Sequence, residues 1–142
     1  LIVEDELHSR EFLKTLVANY CEDIRVVGAT ETVPEAIRLI DDLHPDLVFL
    51  DIEMQSGTGF DVLQGVKSRA FDVIFTTAYD HYALQAIKFS AVDYLLKPID
   101  IEELRGAVEK VRQRRQQPQP NAALERLLEN LANPDPDRQT IT

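Results

Sequence analysis

Asp46-Leu47-Val48-Phe49-Leu50-Asp51-Ile52-Glu53 is the stretch whose reading decides the fold. Four consecutive apolar residues between two aspartates predict a short strand buried on both faces, because a strand with one wet face alternates apolar with polar. Asp51 then falls at the carboxyl end of that strand. Open α/β sheets bind ligands beyond the carboxyl ends of their strands, which makes a carboxylate delivered there a chemical candidate rather than a loop cap.

Four more apolar runs surround this one: Leu1-Ile2-Val3, Arg25-Val26-Val27-Gly28, Val73-Ile74-Phe75-Thr76 and Tyr94-Leu95-Leu96. Helical spacing lies between them. Residues 8–20 carry Phe12, Leu13, Leu16 and Val17 on one stripe, with Ser9 as the expected cap. Thr32-Val33-Pro34 opens a second helix with proline near its first position. Its stripe is Val33, Ala36, Ile37, Leu39, Ile40 and Leu43, and His44-Pro45 stops it. The loop Gln55-Ser56-Gly57-Thr58-Gly59 leads into a short third helix over 60–67. A fourth is expected over 81–89, with Ala83, Leu84 and Ile87 packed into the core, and a fifth over 101–115. Strand and helix alternate five times with short connections, which predicts a parallel sheet covered on both faces.

The 142 residues suffice for one domain with a tail, and no run approaches the roughly 18 apolar residues that cross a bilayer, so no membrane association is expected. No signal peptide is visible, and the opening in mid-strand at Leu1 reads as a fragment. The single cysteine, Cys21, cannot form an internal disulfide and fits a reducing cytoplasm. His8, His44 and His81 lack companions at metal-ligand spacing and read as surface residues. Residues 116–121 form a polar, proline-bearing spacer. Residues 122–132 place Leu124, Leu127, Leu128 and Leu131 on one side of a short helix, and Asn133-Pro134-Asp135-Pro136-Asp137 breaks it. The expected organisation is a domain over 1–115 and, over 116–142, a linker to a further domain. The formal charge is −10, of which −8 lies on residues 1–115. A fold this acidic repels nucleic-acid phosphates and welcomes a cation.

The strand ends deliver Glu4, Asp5, Asp51, Thr77 and Lys97 to one edge. Carboxylates about 5 Å apart repel by on the order of 3 kcal/mol per pair at an effective dielectric of 20, so one protonates or a cation joins them. Oxygen ligands without histidine or cysteine suit Mg²⁺, which usually holds phosphate oxygens as well. A carboxylate can attack phosphorus and become an acyl phosphate. Lys97 offers a point charge to one phosphoryl oxygen and Thr77 a hydroxyl to another. With no glycine-rich phosphate cradle and no Ser-His-Asp set, the protein reads as its own substrate. Hydrolysis of small phosphates stays as an alternative.

An acidic pair after the first strand, an aspartate after the third, a threonine after the fourth and Lys-Pro after the fifth resemble the receiver domains of two-component response regulators. Here they are Glu4-Asp5, Asp51, Thr77 and Lys97-Pro98, and the resemblance covers residues 1 to about 115. Phe75-Thr76-Thr77-Ala78-Tyr79-Asp80, Tyr82-Ala83-Leu84 and Asp93-Tyr94-Leu95-Leu96-Lys97-Pro98-Ile99 are similar to receivers of the LytTR subfamily. The resemblance implies an α/β (βα)5 flavodoxin-like, doubly wound parallel sheet of five strands in the order 2-1-3-4-5. It implies that Asp51 accepts a phosphoryl group from a sensor histidine kinase. Asp5, Asp51 and the Glu53 backbone carbonyl would hold Mg²⁺, with Glu4 acting through a water. Lys97 would pair with Asp51 and later with the phosphoryl group. Thr77 and Tyr94 would form the switch, and Pro98 would follow a cis peptide bond.

The family's usual proline four residues after the acceptor is replaced by Gln55, so the loop is expected to be looser or differently turned. Glu53 is expected to influence the lifetime of the acyl phosphate. A homodimer is expected through the fourth helix, the fifth strand and Arg105, Glu109 and Arg112 of the last helix. DNA would be met only through a LytTR-type domain beyond this chain, near residues 138–142. Two rivals remain beside the hydrolase: a pseudo-receiver acting as a constitutive interaction module, and a flavodoxin-like cofactor binder, which the acidic edge disfavours.

Overall fold

The computed structural model describes residues 1–116. The expected linker and its helix, from residue 117 on, lie outside the described residues. Leu1–Val111 form one compact unit. The elements run β1 (Ile2–Val3), α1 (Leu7–Tyr20), β2 (Ala29–Thr30), α2 (Val33–Leu43), β3 (Leu47–Asp51), β4 (Glu53–Met54), β5 (Gly57–Thr58), α3 (Gly59–Gly65), β6 (Asp72–Thr77), α4 (Ala83–Lys88), β7 (Asp93–Leu96) and α5 (Ile101–Gln116).

All five residues of β3 are buried, as the central apolar run requires. Its side chains alternate between two cores: Val48 and Leu50 enter one with Val33, Ala36, Ile40, Phe60 and Ala86. Leu47 and Phe49 enter the other with Leu13, Leu16, Val17, Leu104 and Val108. Helices α2, α3 and α4 therefore cover one face of the sheet and α1 and α5 the other, so neither face of β3 meets water. The sheet order is β2-β1-β3-β6-β7 and every pairing is parallel. With the separate β4–β5 hairpin set aside, this is the expected doubly wound order.

The element ends show where local chemistry was read correctly and where it was not. Thr32 caps α2 by accepting from the Glu35 N–H at 3.3 Å, and His44 ends it in the left-handed region at φ 49°. For α1 the cap is Glu6, not Ser9: its carboxylate accepts from the N–H groups of His8 at 3.1 Å and Ser9 at 2.8 Å. A carboxylate beats a hydroxyl there because the helix dipole favours negative charge. These bonds, with the Ser9 hydroxyl donating to the same group, hold the Glu6 carboxyl below its ordinary range.

Three other expectations are corrected. The second strand forms at Ala29–Thr30, not at residues 25–28, because β1 offers only two residues for pairing, Ile2 opposite Ala29 and Val3 opposite Thr30. Val27 is left 42% exposed beside that edge. Phe12 is half exposed on α1. On α4 the expected core stripe faces outward, with Leu84 and Ile87 each 71% exposed. Ala86 is the buried residue of this six-residue helix, which is too short to wrap an apolar stripe onto the sheet.

Candidate functional site

Four strands of the sheet end at one edge and carry the candidate residues there. Asp51 is the last residue of β3 and Thr77 the last of β6, while Glu4 follows β1 and Lys97 follows β7. Glu4 and Asp51 are each only 3% exposed and Thr77 is fully buried. Glu4, Asp5 and Asp51 offer carboxylate oxygens that all lie within 4.8 Å of one another. An open cleft of about 390 Å³ lies over them, with Glu53, Thr77 and Lys97 among its walls. Every candidate named from the sequence at a strand end is thus brought to one place.

Lys97 Nζ stands 3.4 Å from Asp51 Oδ2 and makes its closer contact with Glu4 Oε1. The expected pairing with Asp51 is present, and Glu4 is an additional, nearer partner. Its other oxygen, Oε2, accepts from the Glu6 N–H at 3.1 Å. Burial pulls the Lys97 ammonium down, but the bond to Glu4 and the charge of Asp51 outweigh it and raise the group above its ordinary value. Asp51 is pushed up to about 8, first by burial and then by Glu4, with Lys97 only partly opposing. One lysine cannot neutralise three gathered carboxylates, so the cluster holds a proton where it would otherwise hold a further cation.

The donor set fits a hard divalent cation: three carboxylates, no histidine and no thiol. Glu53 is exposed, and its side chain accepts a hydrogen bond from the Tyr82 hydroxyl; burial first and this bond second raise the Tyr82 phenol. The Lys97–Pro98 peptide bond is cis.

Thr77 and Tyr94 hold the backbone of one residue, Tyr79, from two sides. Thr77 Oγ1 accepts from the Tyr79 N–H at 3.2 Å, and the Tyr94 hydroxyl donates to the Tyr79 carbonyl while accepting from the Tyr82 N–H at 3.3 Å. Tyr94 is half-buried against the first core, neither wholly core nor free. The tyrosines at 79 and 82 enter the sequence reading only as part of the motifs that carry the subfamily resemblance, with no contact to Thr77 or Tyr94 assigned to them.

The loop after β3 is not slack. Residues 53–58 fold back as the β4–β5 hairpin, with Gly57 at φ 144°, a conformation few other residues adopt. The Gln55 N–H donates to Asp5 Oδ2 at 2.9 Å, and the Ser56 hydroxyl oxygen accepts from the Val33 N–H at 2.9 Å. Just beyond, the Gly59 N–H donates to the Ile52 carbonyl at 2.8 Å. A Cβ on Gly59 would lie 2.6 Å from the Asp51 carbonyl oxygen and 3.0 Å from Leu50. Gly59→Ala is therefore expected to lower stability by about 2 kcal/mol, of the size found for overpacked cores, and to shift Asp51; urea unfolding checks the first effect.

Comparison with known proteins decides the family. The response regulator receiver domain model matches residues 1–109. The chain belongs to the response regulator receiver family. An uncharacterized response regulatory protein of Vibrio cholerae is 41% identical over 112 residues, covering 78% of this chain and 47% of that protein. Sensory transduction protein LytT of Bacillus cereus is 35% identical over 118 residues, covering 82% and 48%. Among solved structures, the receiver domain of AraT, a response regulator from Geobacillus stearothermophilus, superposes with a TM-score of 0.73 at 31% identity, covering 82% of this chain and 93% of that one. The LytT relatives agree with a receiver of the LytTR type. This receiver spans about half the length of the curated relatives it matches. Among the described residues, no helix is long and apolar enough to cross a membrane.

Proposed function

We propose that this receiver is a phosphorylation-dependent switch in which Asp51 accepts a phosphoryl group from a sensor histidine kinase. The observation that carries the reading is the gathering of Glu4, Asp5, Asp51, Thr77 and Lys97 around one open cleft. Asp5, Asp51 and the Glu53 backbone carbonyl, with Glu4 behind them, would hold Mg²⁺, whose charge would neutralise the carboxylates and bind phosphoryl oxygens. An Asp51 oxygen attacks phosphorus, the bond to the donor's imidazole nitrogen breaks, and that nitrogen keeps the electron pair. Asp51 becomes an acyl phosphate. Lys97 then turns from the carboxylates to one phosphoryl oxygen.

Thr77 supplies the readout. If its hydroxyl donates to the phosphoryl group, Oγ1 is drawn off the Tyr79 N–H, and the Tyr79 backbone, which Tyr94 holds at the carbonyl, is released at its N–H. Moving a population from 1:99 to 99:1 takes about 5.5 kcal/mol. Two or three bonds to a charged group, at about 1.5–3 kcal/mol each, supply that. The affected surface is α4, β7 and α5, where Leu84, Ile87 and Leu96 stand exposed beside the Lys110–Asp93 ion pair at 2.9 Å. We assign the homodimer to this face. Residues 116–142 would join it to a LytTR-type DNA-binding domain, with the protein acting in the cytoplasm.

Acetyl phosphate with Mg²⁺, followed by intact-mass measurement, tests the chemistry. The wild type should gain one phosphoryl group, labile in alkali, and Asp51→Ala none. No gain in either protein would make this a phosphorylation-independent interaction module; phosphate released in excess of protein would make it a hydrolase. The dimer face has its own test. Leu84→Glu with Ile87→Glu should leave the mass gain intact and hold the phosphorylated protein as a monomer in sedimentation, since both side chains are too exposed to matter for folding.

A further inference from the structure

We propose that the backbone N–H of Gln55 is a positioning donor for Asp5, and that the β4–β5 hairpin thereby sets the divalent-cation affinity of the acidic cleft. This rests on the reading of Asp5 as a cation ligand. Asp5 is the cluster carboxylate for which no ion pair with Lys97 is formed: that lysine engages Glu4 and Asp51. It is also the least buried of the three carboxylates. A half-exposed aspartate with no partner samples several rotamers, and a cation must then order it. The Gln55 N–H removes that cost by holding Oδ2 at 2.9 Å.

A carboxylate has about four lone-pair positions, so Oδ2 can keep the N–H while Oδ1 turns to a cation. The donor is itself fixed. Residues 53–58 pair as a hairpin, Glu53 opposite Thr58 and Met54 opposite Gly57. The turn is tied to α2 by the Val33 N–H donating to Ser56 Oγ at 2.9 Å. The tether thus runs from a helix end through a two-residue turn to a ligand side chain. Because it is a main-chain donor, truncating the Gln55 side chain leaves it in place. Only proline, which has no N–H, removes it.

The test compares Gln55→Pro with Gln55→Ala by calorimetric Mg²⁺ titration of the unphosphorylated protein. Gln55→Ala should bind as the wild type does, and Gln55→Pro about tenfold more weakly, the lower end of what partners of metal ligands contribute. In acetyl phosphate reactions the rate at saturating Mg²⁺ should be unchanged in Gln55→Pro, with only the half-saturating Mg²⁺ concentration raised. Equal affinities for the two variants would overturn the proposal while leaving the functional reading intact. A wild type that takes up no Mg²⁺ would overturn both. Should Gln55→Pro fail to fold, amide exchange in the wild type decides: the Gln55 amide should be protected without Mg²⁺ and remain so with it. Exchange at the free-peptide rate in both states would refute the tether.

Discussion

Asp51→Asn should stabilise the Mg²⁺-free protein at pH 8.5 by a few kcal/mol and flatten the dependence of its stability on pH. Asp51 sits at about 8 in the folded protein against an ordinary value of 3.8, raised first by burial and then by Glu4. A carboxyl raised on folding binds more protons in the native state than in the unfolded one. Stability therefore falls as pH rises from about 4 to about 8, and the full cost is present above that window. At about 1.4 kcal/mol per unit the ceiling is on the order of 6 kcal/mol, and water entering the open cleft lowers it. Lys97, raised above 10.5, is charged in both states throughout the window and adds no slope. Asparagine keeps the shape of the protonated acid and can still donate to Glu4. Urea unfolding in EDTA at pH 5 and 8.5 should show the two proteins several-fold closer in acid than in alkali. Mg²⁺ should close the gap by stabilising the wild type. A constant gap at both pH values would mean that Asp51 acts through packing, and the electrostatic account would fail.

The same residue shows why the architecture was legible from sequence. An uninterrupted apolar run can be buried on both faces only in a parallel sheet with helices on either side, so β3 fixes the layers before any partner is considered. The strand-end carboxylates, Thr77 and Lys97 follow, because chain order and right-handed crossovers bring all carboxyl ends to one edge. The failures share a cause. Helical periodicity marks a stripe but not whether another element reaches it, so Leu84 and Ile87 were expected inside and stand outside. Edge pairing depends on how long the neighbour is, and the two-residue β1 limits β2. The hairpin at 53–58 was invisible because its stabilising bonds, to Asp5 and Val33, join residues far apart in the chain. Lys97 was placed at the site correctly, but which carboxylate it prefers is decided by angstroms that no pattern encodes.

Lys97→Met tests those angstroms. Methionine keeps most of the aliphatic stem and removes the charge, leaving Glu4 and Asp51, each 3% exposed, without their cation. Breaking a buried ion pair by deleting one partner costs about 3–5 kcal/mol, because the remaining charge has lost both water and neighbour. The Lys97 side chain is 22% exposed, so the lower end applies, about 3 kcal/mol at pH 8 in EDTA. The loss must depend on conditions in a definite direction. Acidification to pH 5 lessens it, because Asp51, already pushed up to about 8 with Lys97 present, then carries its proton in both proteins and only the pairing of Lys97 with Glu4 is lost. Mg²⁺ lessens the loss too, by replacing the missing positive charge between the same oxygens. The variant should therefore depend on Mg²⁺ for stability more steeply than the wild type, even as it loses phosphorylation for want of a cation on the incoming phosphoryl oxygen. If the loss were the same at pH 5, at pH 8 and with Mg²⁺, Lys97 would be a packing residue. The cleft would then need no cation to balance it, and the case for Asp51 as a nucleophile held in a charged pocket would go with it.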